Sequence, residues 1–136
     1  MTTPSPVTRE HIDALLLYLP LFEEREREVV RRWNGGVEKD GIITMPYPEY
    51  APEVLAFFGL AAQPWWLDYG YDPDRAGRML EDDAAIAGAT LAQIRSMLTY
   101  CVRGERFCDG HWGEMISSGR VVALLRRLEQ LRESVE

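Results

Sequence analysis

Residues 103–115, RGERFCDGHWGEM, contain the side chains whose types and spacing could support chemistry. Thiolate and imidazole are ligands that zinc prefers, and Cys108 and His111 have the separation that lets two side chains reach one ion. A structural zinc site needs further ligands, and the rest of the chain offers only Cys101 and the distant His11. On a straight helix, Cys101 and Cys108 would stand about 10 Å apart. The sequence therefore predicts no metal site and no cofactor.

The same stretch admits a catalytic interpretation, with Cys108 as a nucleophile and His111 as its base. Neighbouring cations lower the pKa of a cysteine and so activate it, and the stretch contains two arginines that could supply this charge. Glu105 and Asp109 could equally form an acid-base pair with His111. This interpretation predicts a small hydrolase or transferase that uses Cys108, His111 and the flanking charged residues.

A third interpretation is architectural, and it is the one we favour. If a helix that starts at Leu91 runs through the stretch, Glu105 lies among its apolar positions and must be paired, with Arg103 and Arg106 as the nearest cations. If Asp109 and the following glycine break the helix instead, Asp109 becomes a helix cap. The sequence leaves open whether residues 91–118 form one helix or two.

The architectural interpretation makes a quantitative prediction for Arg106. If Arg106 pairs with a buried Glu105 or Asp109, the Arg106→Ala change leaves a carboxylate unpaired and costs about 3–5 kcal/mol of stability. Replacing Cys108 by serine should then matter much less.

Aromatic residues form a second cluster between positions 47 and 71. Its tyrosines and tryptophans are Tyr47, Tyr50, Trp65, Trp66, Tyr69 and Tyr71. Such residues favour places where an apolar face is covered and a polar tip is wet, which describes both the margin of a core and a binding groove. We favour the core margin. Candidates for contact with a ligand or partner are Arg103, Arg106, Tyr47, Tyr50, Trp65, Trp66 and Tyr69.

The elements that would position these residues are mostly helices. Thr90 and Gln93 have the spacing of a capping box, which predicts a helix beginning at Leu91. Asp72 followed by Pro73 predicts another helix, with Asp72 as its cap. Apolar periodicity predicts further helices at about 8–19, which Pro20 ends, at 52–63, and from Gly119 to about Leu131.

A β-hairpin is predicted between the first two helices. The turn signal Asn34-Gly35-Gly36 separates two short segments of strand character, 29–33 and 41–45. The sequence therefore predicts one domain over residues 1–136, with residues 1–7 as a flexible segment. Its fold class is α+β and predominantly helical, with about five helices and a small β-hairpin.

Composition limits the classes of function. The chain has 136 residues, of which 46% are hydrophobic, and this suffices for one core without disulfides. A net charge of −7 argues against general nucleic-acid binding, because such binders concentrate excess lysine and arginine. The apolar runs are about half as long as the roughly 20 residues of a membrane span. We expect a soluble, cytoplasmic protein without membrane contact.

Several strings point to a known family. RGERFCDGHW, SGRVVALLRRL, DGIITMPYPEY and LAQIRSMLTYCVR together resemble an uncharacterised family of bacterial proteins classed as a domain of unknown function. The similarity covers nearly the whole chain. It implies a bacterial or phage-borne cytoplasmic protein with a helical fold, and it assigns no activity, cofactor or catalytic residue.

The function that the sequence favours is that of a non-enzymatic bacterial binding or accessory module. This prediction depends on an intact apolar framework, the absence of a strong catalytic motif and the aromatic segment. The partner, either a protein or a small molecule, is not defined by the sequence, and neither is the oligomeric state, for which a homodimer is one option. The alternative is the small hydrolase or transferase that uses Cys108 and His111.

Overall fold

The computed structural model describes residues 7–24, 29–37, 41 and 43–135 of the chain. Helices dominate these ranges and two strands pair as a hairpin, which confirms the predominantly helical α+β prediction. In chain order the elements are α1 (Arg9–Leu16), α2 (Leu19–Glu23), β1 (Val30–Val37), β2 (Ile43–Tyr50), α3 (Pro52–Ala61), α4 (Pro73–Leu80), α5 (Asp83–Ala87), α6 (Leu91–Gly104), α7 (His111–Ser117), α8 (Arg120–Leu131) and a 3-10 helix (Arg132–Ser134). Within these ranges, none of the helices combines the length and apolar character that a membrane crossing requires.

Helices α6 and α8 lie at the centre of the helical part. α8 contacts α1, α2, α5, α6 and α7, while α6 also contacts α3 and α4. The side chains between them are fully buried, among them Ile94, Leu98, Leu124, Leu125 and Leu128. Each such side chain contributes about 1.5–3 kcal/mol when it leaves water. This packing fixes the C-terminal end of α6, where the 103–115 stretch begins.

Local signals placed the starts of α4 and α6 correctly. Asp72 accepts hydrogen bonds from the backbone N–H groups of Asp74 and Arg75, as predicted for a helix cap. Thr90 and Gln93 cap each other's backbone, with distances of 2.9 and 3.2 Å. Both signals work because all the groups that they need lie within four residues.

The N-terminal helical segment is divided in two, so the prediction of one helix ended by Pro20 is wrong. α1 ends at Leu16, and Pro20 lies in the first turn of α2. The first turn tolerates proline because its backbone nitrogen needs no intrahelical partner there. The short helix α5, which Asp82 caps, also has no counterpart among the predicted helices.

The hairpin is confirmed, but its turn lies elsewhere than predicted. β1 and β2 pair antiparallel from Val30 opposite Tyr50 to Val37 opposite Ile43, so the pairing continues beyond residues 34–36. The predicted turn residues 34–36 lie inside β1, where the register shifts and Gly35 has a φ of 88°. A glycine with positive φ suits a β-bulge as well as a turn, which explains the error.

Candidate functional site

The junction between α6 and α7 is organised around the carboxylate of Glu105. One oxygen, Oε1, accepts hydrogen bonds from the Tyr50 hydroxyl at 2.7 Å and the Trp112 backbone N–H at 2.8 Å. The other, Oε2, accepts from the Gly110 backbone N–H at 2.9 Å. The first N–H groups of a helix have no intrahelical acceptor, so Glu105 supplies the cap that α7 lacks at its own N-cap residue. Residues 91–118 therefore form two helices.

These partners of Glu105 correct the sequence-based interpretation. Arg106 is exposed, and no ion pair with it occurs in the described part of the chain. Asp109 is also exposed, and the N-cap residue of α7 is Gly110, whose φ of 94° favours glycine. The true partner, Tyr50, comes from β2 and lies 55 positions away in sequence, beyond what local spacing can reveal.

Aromatic packing closes the junction on the hairpin side. The Trp112 ring stacks on Phe58 with centroids 4.6 Å apart, and its indole N–H donates to the Val102 carbonyl at 3.0 Å. Tyr50 is buried, and burial together with the hydrogen bond to Glu105 raises the pKa of its hydroxyl. That hydroxyl stays protonated and donates to Glu105, so Glu105 and Tyr50 both serve the architecture of the junction.

The opposite face of the same stretch lines an open groove of about 490 Å³, which we call the aromatic groove. Its lining residues are Tyr69, Tyr71, Pro73, Tyr100, Arg103, Gly104, Phe107, Cys108 and His111. They come from the segment before α4, the first residue of α4, the end of α6, the α6–α7 junction and the first residue of α7. The contact between α4 and α6 holds the two sides together.

The apolar lining of the aromatic groove is unusually open to solvent. Phe107 is 81% exposed and Tyr69 is 74% exposed, although both are large aromatic residues. Tyr100 is more enclosed, because its ring packs against Gly77 of α4, where an added Cβ would lie 3.3 Å away. The groove therefore has a firm inner wall and exposed aromatic residues accessible to a ligand.

Arg103 is the charged side chain of the aromatic groove. Its guanidinium lies over the Tyr71 ring, 5.9 Å from the centroid. Neither a hydrogen bond nor an ion pair engages this half-buried guanidinium within the described residues, and no aspartate or glutamate belongs to the lining. A cation that has no ion pair among the described residues thus lines a groove, in a chain whose net charge is −7.

His111 begins α7 and lies against the end of α6. Its ring covers Gly104 so closely that a Cβ at that position would overlap it, and the Tyr100 ring lies 5.4 Å away. Burial lowers the pKa of His111, against an opposing effect of Glu105, so the ring is neutral at neutral pH. Its Nε2 atom is buried and has no hydrogen-bond partner among the described atoms.

The two cysteines differ in environment. Cys108 is exposed and lies in the aromatic groove, where its Sγ has one weak contact, 3.9 Å from the Asp109 carbonyl oxygen. Cys101 is fully buried in the core, and burial raises the pKa of its thiol to about 12. Across the described ranges, no group of three or more histidine, cysteine or acidic side chains could hold a metal ion.

The remaining sequence-based candidates lie away from the aromatic groove. Tyr47 is half exposed on the hairpin, and Trp65 stacks on His11 with ring centroids 4.3 Å apart. Trp66 is 1% exposed and packs in the core, so a partner cannot touch it in this conformation. Of the candidates, the groove collects Tyr69, Arg103, Cys108 and His111.

Sequence reasoning named Tyr71 in the aromatic cluster without making it a contact candidate, and it did not single out Tyr100 or Phe107. One signal was available, because positions 100, 103, 104 and 107 have the spacing of a single helix face beside the apolar positions of α6. Phe107 also stands as a large apolar residue among charged and glycine residues, which is an unusual setting for a core side chain.

Comparison with known protein families identifies the family of this chain. A family of unknown function (DUF6508) matches residues 7–134, and the chain belongs to this family. No curated protein and no solved structure matches the chain. The family assignment supports the resemblance to a domain of unknown function, and it supplies no activity, ligand or partner.

Proposed function

We propose that this member of the DUF6508 family is a non-enzymatic binding module and that the aromatic groove is its ligand site. The observation that carries the proposal is the exposure of Phe107 and Tyr69 in one groove that also contains Arg103, which forms no ion pair with any residue the structure describes. Ligand sites are typically concave and apolar, with a few polar groups that orient the ligand, and their volumes range from about 300 to 1,000 Å³. The groove has these properties.

Binding is favoured over catalysis by the state of the groups that catalysis would use. The carboxylate of Glu105 already accepts three hydrogen bonds in the junction. The Nε2 atom of His111 is closed off by Gly104, so it cannot take a proton from a bound group without movement of the ring. The Nε2 atom of His111 therefore cannot serve Cys108 as a base in this arrangement.

A neutral aromatic probe tests the proposal. Naphthol added to the labelled protein should shift the amide resonances of residues 69–73 and 100–111 in NMR spectra, because those segments line the groove. The Phe107→Ser variant should weaken binding strongly. Leu55→Ser is the matched control, since Leu55 is an exposed apolar residue on α3 outside the groove. Shifts spread over the whole surface, or equal effects of both variants, would contradict the proposal.

The alternative function is a small hydrolase or transferase, because Cys108 and His111 do line the same groove. It predicts that the purified protein cleaves an activated ester such as nitrophenyl acetate and that Cys108→Ser abolishes the reaction. Our proposal predicts no cleavage above the rate of the Cys108→Ser variant. A bacterial origin and a cytoplasmic location belong to the proposal as well, and they are based on the sequence.

A further inference from the structure

We infer that the ligand of the aromatic groove is a small aromatic molecule with one carboxylate, which Arg103 binds. The inference rests on the proposed function, since it assigns a ligand class to the same groove. It draws on three observations: the charge of the lining, the arrangement of its rings and the volume of the groove.

The charge of the lining favours an anion. Arg103 is the fully charged group of the groove, and the lining includes no carboxylate to balance it. Arg32 pairs with Glu49 at 3.1 Å and Arg126 with Glu23 at 3.2 Å, whereas the lining around Arg103 offers it no such carboxylate. A guanidinium presents a planar fork of donors that matches a carboxylate with two parallel hydrogen bonds. Arg103 therefore has the geometry to bind a carboxylate, and its N–H donors have no other acceptor among the described residues.

The rings of the groove favour an aromatic ligand. Arg103 lies over Tyr71, so the guanidinium is held beside an aromatic face. Phe107 and Tyr69 expose large ring surfaces to solvent in the same groove. A planar ring covered by these residues would leave water together with them, and aromatic pairs contribute about 0.5–1.5 kcal/mol beyond the area that they bury.

The volume favours a small molecule over a polypeptide. About 490 Å³ lies in the range of small-ligand sites. The lining comes from three helices, the junction between α6 and α7 and the segment before α4, which present no free strand edge to the main chain of an extended peptide. A single or fused ring with a carboxylate fits these limits.

The experiment compares naphthoate with naphthamide, which share a ring system and differ in charge, by calorimetry on the full-length protein. Naphthoate should bind about tenfold more tightly or better, as expected for a charge-assisted hydrogen bond in a half-enclosed site. Arg103→Gln should reduce the two affinities to the same value. Arg106→Gln is the matched control, because it removes the same charge from an exposed residue outside the lining, and it should preserve the difference.

The outcomes separate this inference from the proposed function. Equal affinities for naphthoate and naphthamide, with naphthol still bound in the groove, would overturn the carboxylate inference and leave the binding module in place. Absence of binding by all three probes would overturn both. A tripeptide ending in phenylalanine that bound more tightly than naphthoate would show that the groove takes a chain terminus instead of a small molecule. Loss of the charge preference in Arg106→Gln would show that Arg103 is not its source.

Discussion

The two faces of the 103–112 stretch differ in how their polar groups are satisfied. On the hairpin side, Glu105 accepts three hydrogen bonds and the Trp112 indole donates one. On the groove side, the guanidinium of Arg103 and the Nε2 atom of His111 have no hydrogen bond among the described atoms. A satisfied polar network stabilises a fold, whereas an unsatisfied guanidinium beside exposed rings indicates a place where something else can bind.

Among the variants that test this difference, the largest effect is expected from removing the carboxylate of Glu105. The Glu105→Ala change leaves the Tyr50 hydroxyl and two backbone N–H groups without their acceptor, and two of these groups belong to the start of α7. We expect the free energy of unfolding to fall by about 3 kcal/mol in urea titrations.

Glu129→Ala is the control for Glu105→Ala. Glu129 is an exposed glutamate of α8, and its replacement should change stability by no more than about 0.5 kcal/mol. If Glu105→Ala were as stable as Glu129→Ala, the junction would not depend on this carboxylate, and the contrast between the two faces would fail.

The close packing of His111 on Gly104 gives a second test, of intermediate size. A methyl group at position 104 would overlap the imidazole ring, so Gly104→Ala must displace the ring or the start of α7. Overpacking of this kind costs about 1–3 kcal/mol. Gly59→Ala is the control, because Gly59 lies in α3 with open space around its Cβ position, and alanine there should stabilise the helix by about 0.5–1 kcal/mol.

The same pair of variants also reports on the aromatic groove. A displaced His111 ring would change the shape of the lining, so Gly104→Ala should weaken naphthol binding while Gly59→Ala leaves it unchanged. Two alanine variants with equal melting temperatures would show that His111 does not lie where the structure places it.

The parts of the fold that sequence reasoning reached are those decided by near neighbours. Two helix caps show this: the one formed by Thr90 with Gln93, and the one formed by Asp72 with the two N–H groups that follow it. All the groups in each cap lie within one helical turn. The turn at 34–36 was misplaced because glycine with positive φ serves bulges and turns alike. The partner of Glu105 was missed because it comes from β2, and no pattern near Glu105 points to Tyr50.

The aromatic groove was only partly visible in the sequence for a related reason. Cys108 and His111 attracted attention by residue type, whereas Phe107 and Tyr100 matter through where the end of α6 places them. Their significance depends on exposure, and exposure depends on how α4 packs against α6. Residue spacing can predict which side chains share a helix face. It cannot predict the groove that the packing of α4 against α6 leaves beside that face.

The free energy of unfolding should depend on pH through His111. We expect this effect to be smaller than that of Glu105→Ala or Gly104→Ala. Burial lowers the folded-state pKa of His111 below its ordinary value of 6.5, while Glu105, the Tyr100 backbone and Glu114 oppose the shift and Arg120 adds to it. The unfolded chain therefore binds a proton at higher pH than the folded chain, and stability falls as the pH drops below about 6.5. The carboxyl of Asp13, whose pKa is lowered from 3.8, acts only in a more acidic range.

The measurement is a series of thermal melts between about pH 7 and pH 5, the window in which a histidine with a lowered pKa changes stability. The wild-type protein should lose stability across it, and His111→Asn should flatten the curve. A wild-type curve without slope, or a His111→Asn curve that keeps the full slope, would show that His111 is not held neutral by its surroundings.

The smallest expected effect belongs to Arg106, and it reverses the prediction made from the sequence. Arg106 is exposed and pairs with neither Glu105 nor Asp109, so Arg106→Ala should change the free energy of unfolding by no more than about 0.5 kcal/mol. Cys108→Ser should be equally mild, because the Cys108 side chain is exposed. Urea titrations of both variants beside Glu105→Ala provide the measurement. A loss of about 3–5 kcal/mol in Arg106→Ala would instead support the buried ion pair predicted from the sequence. It would mean that Arg106, and not Tyr50, stabilises the junction.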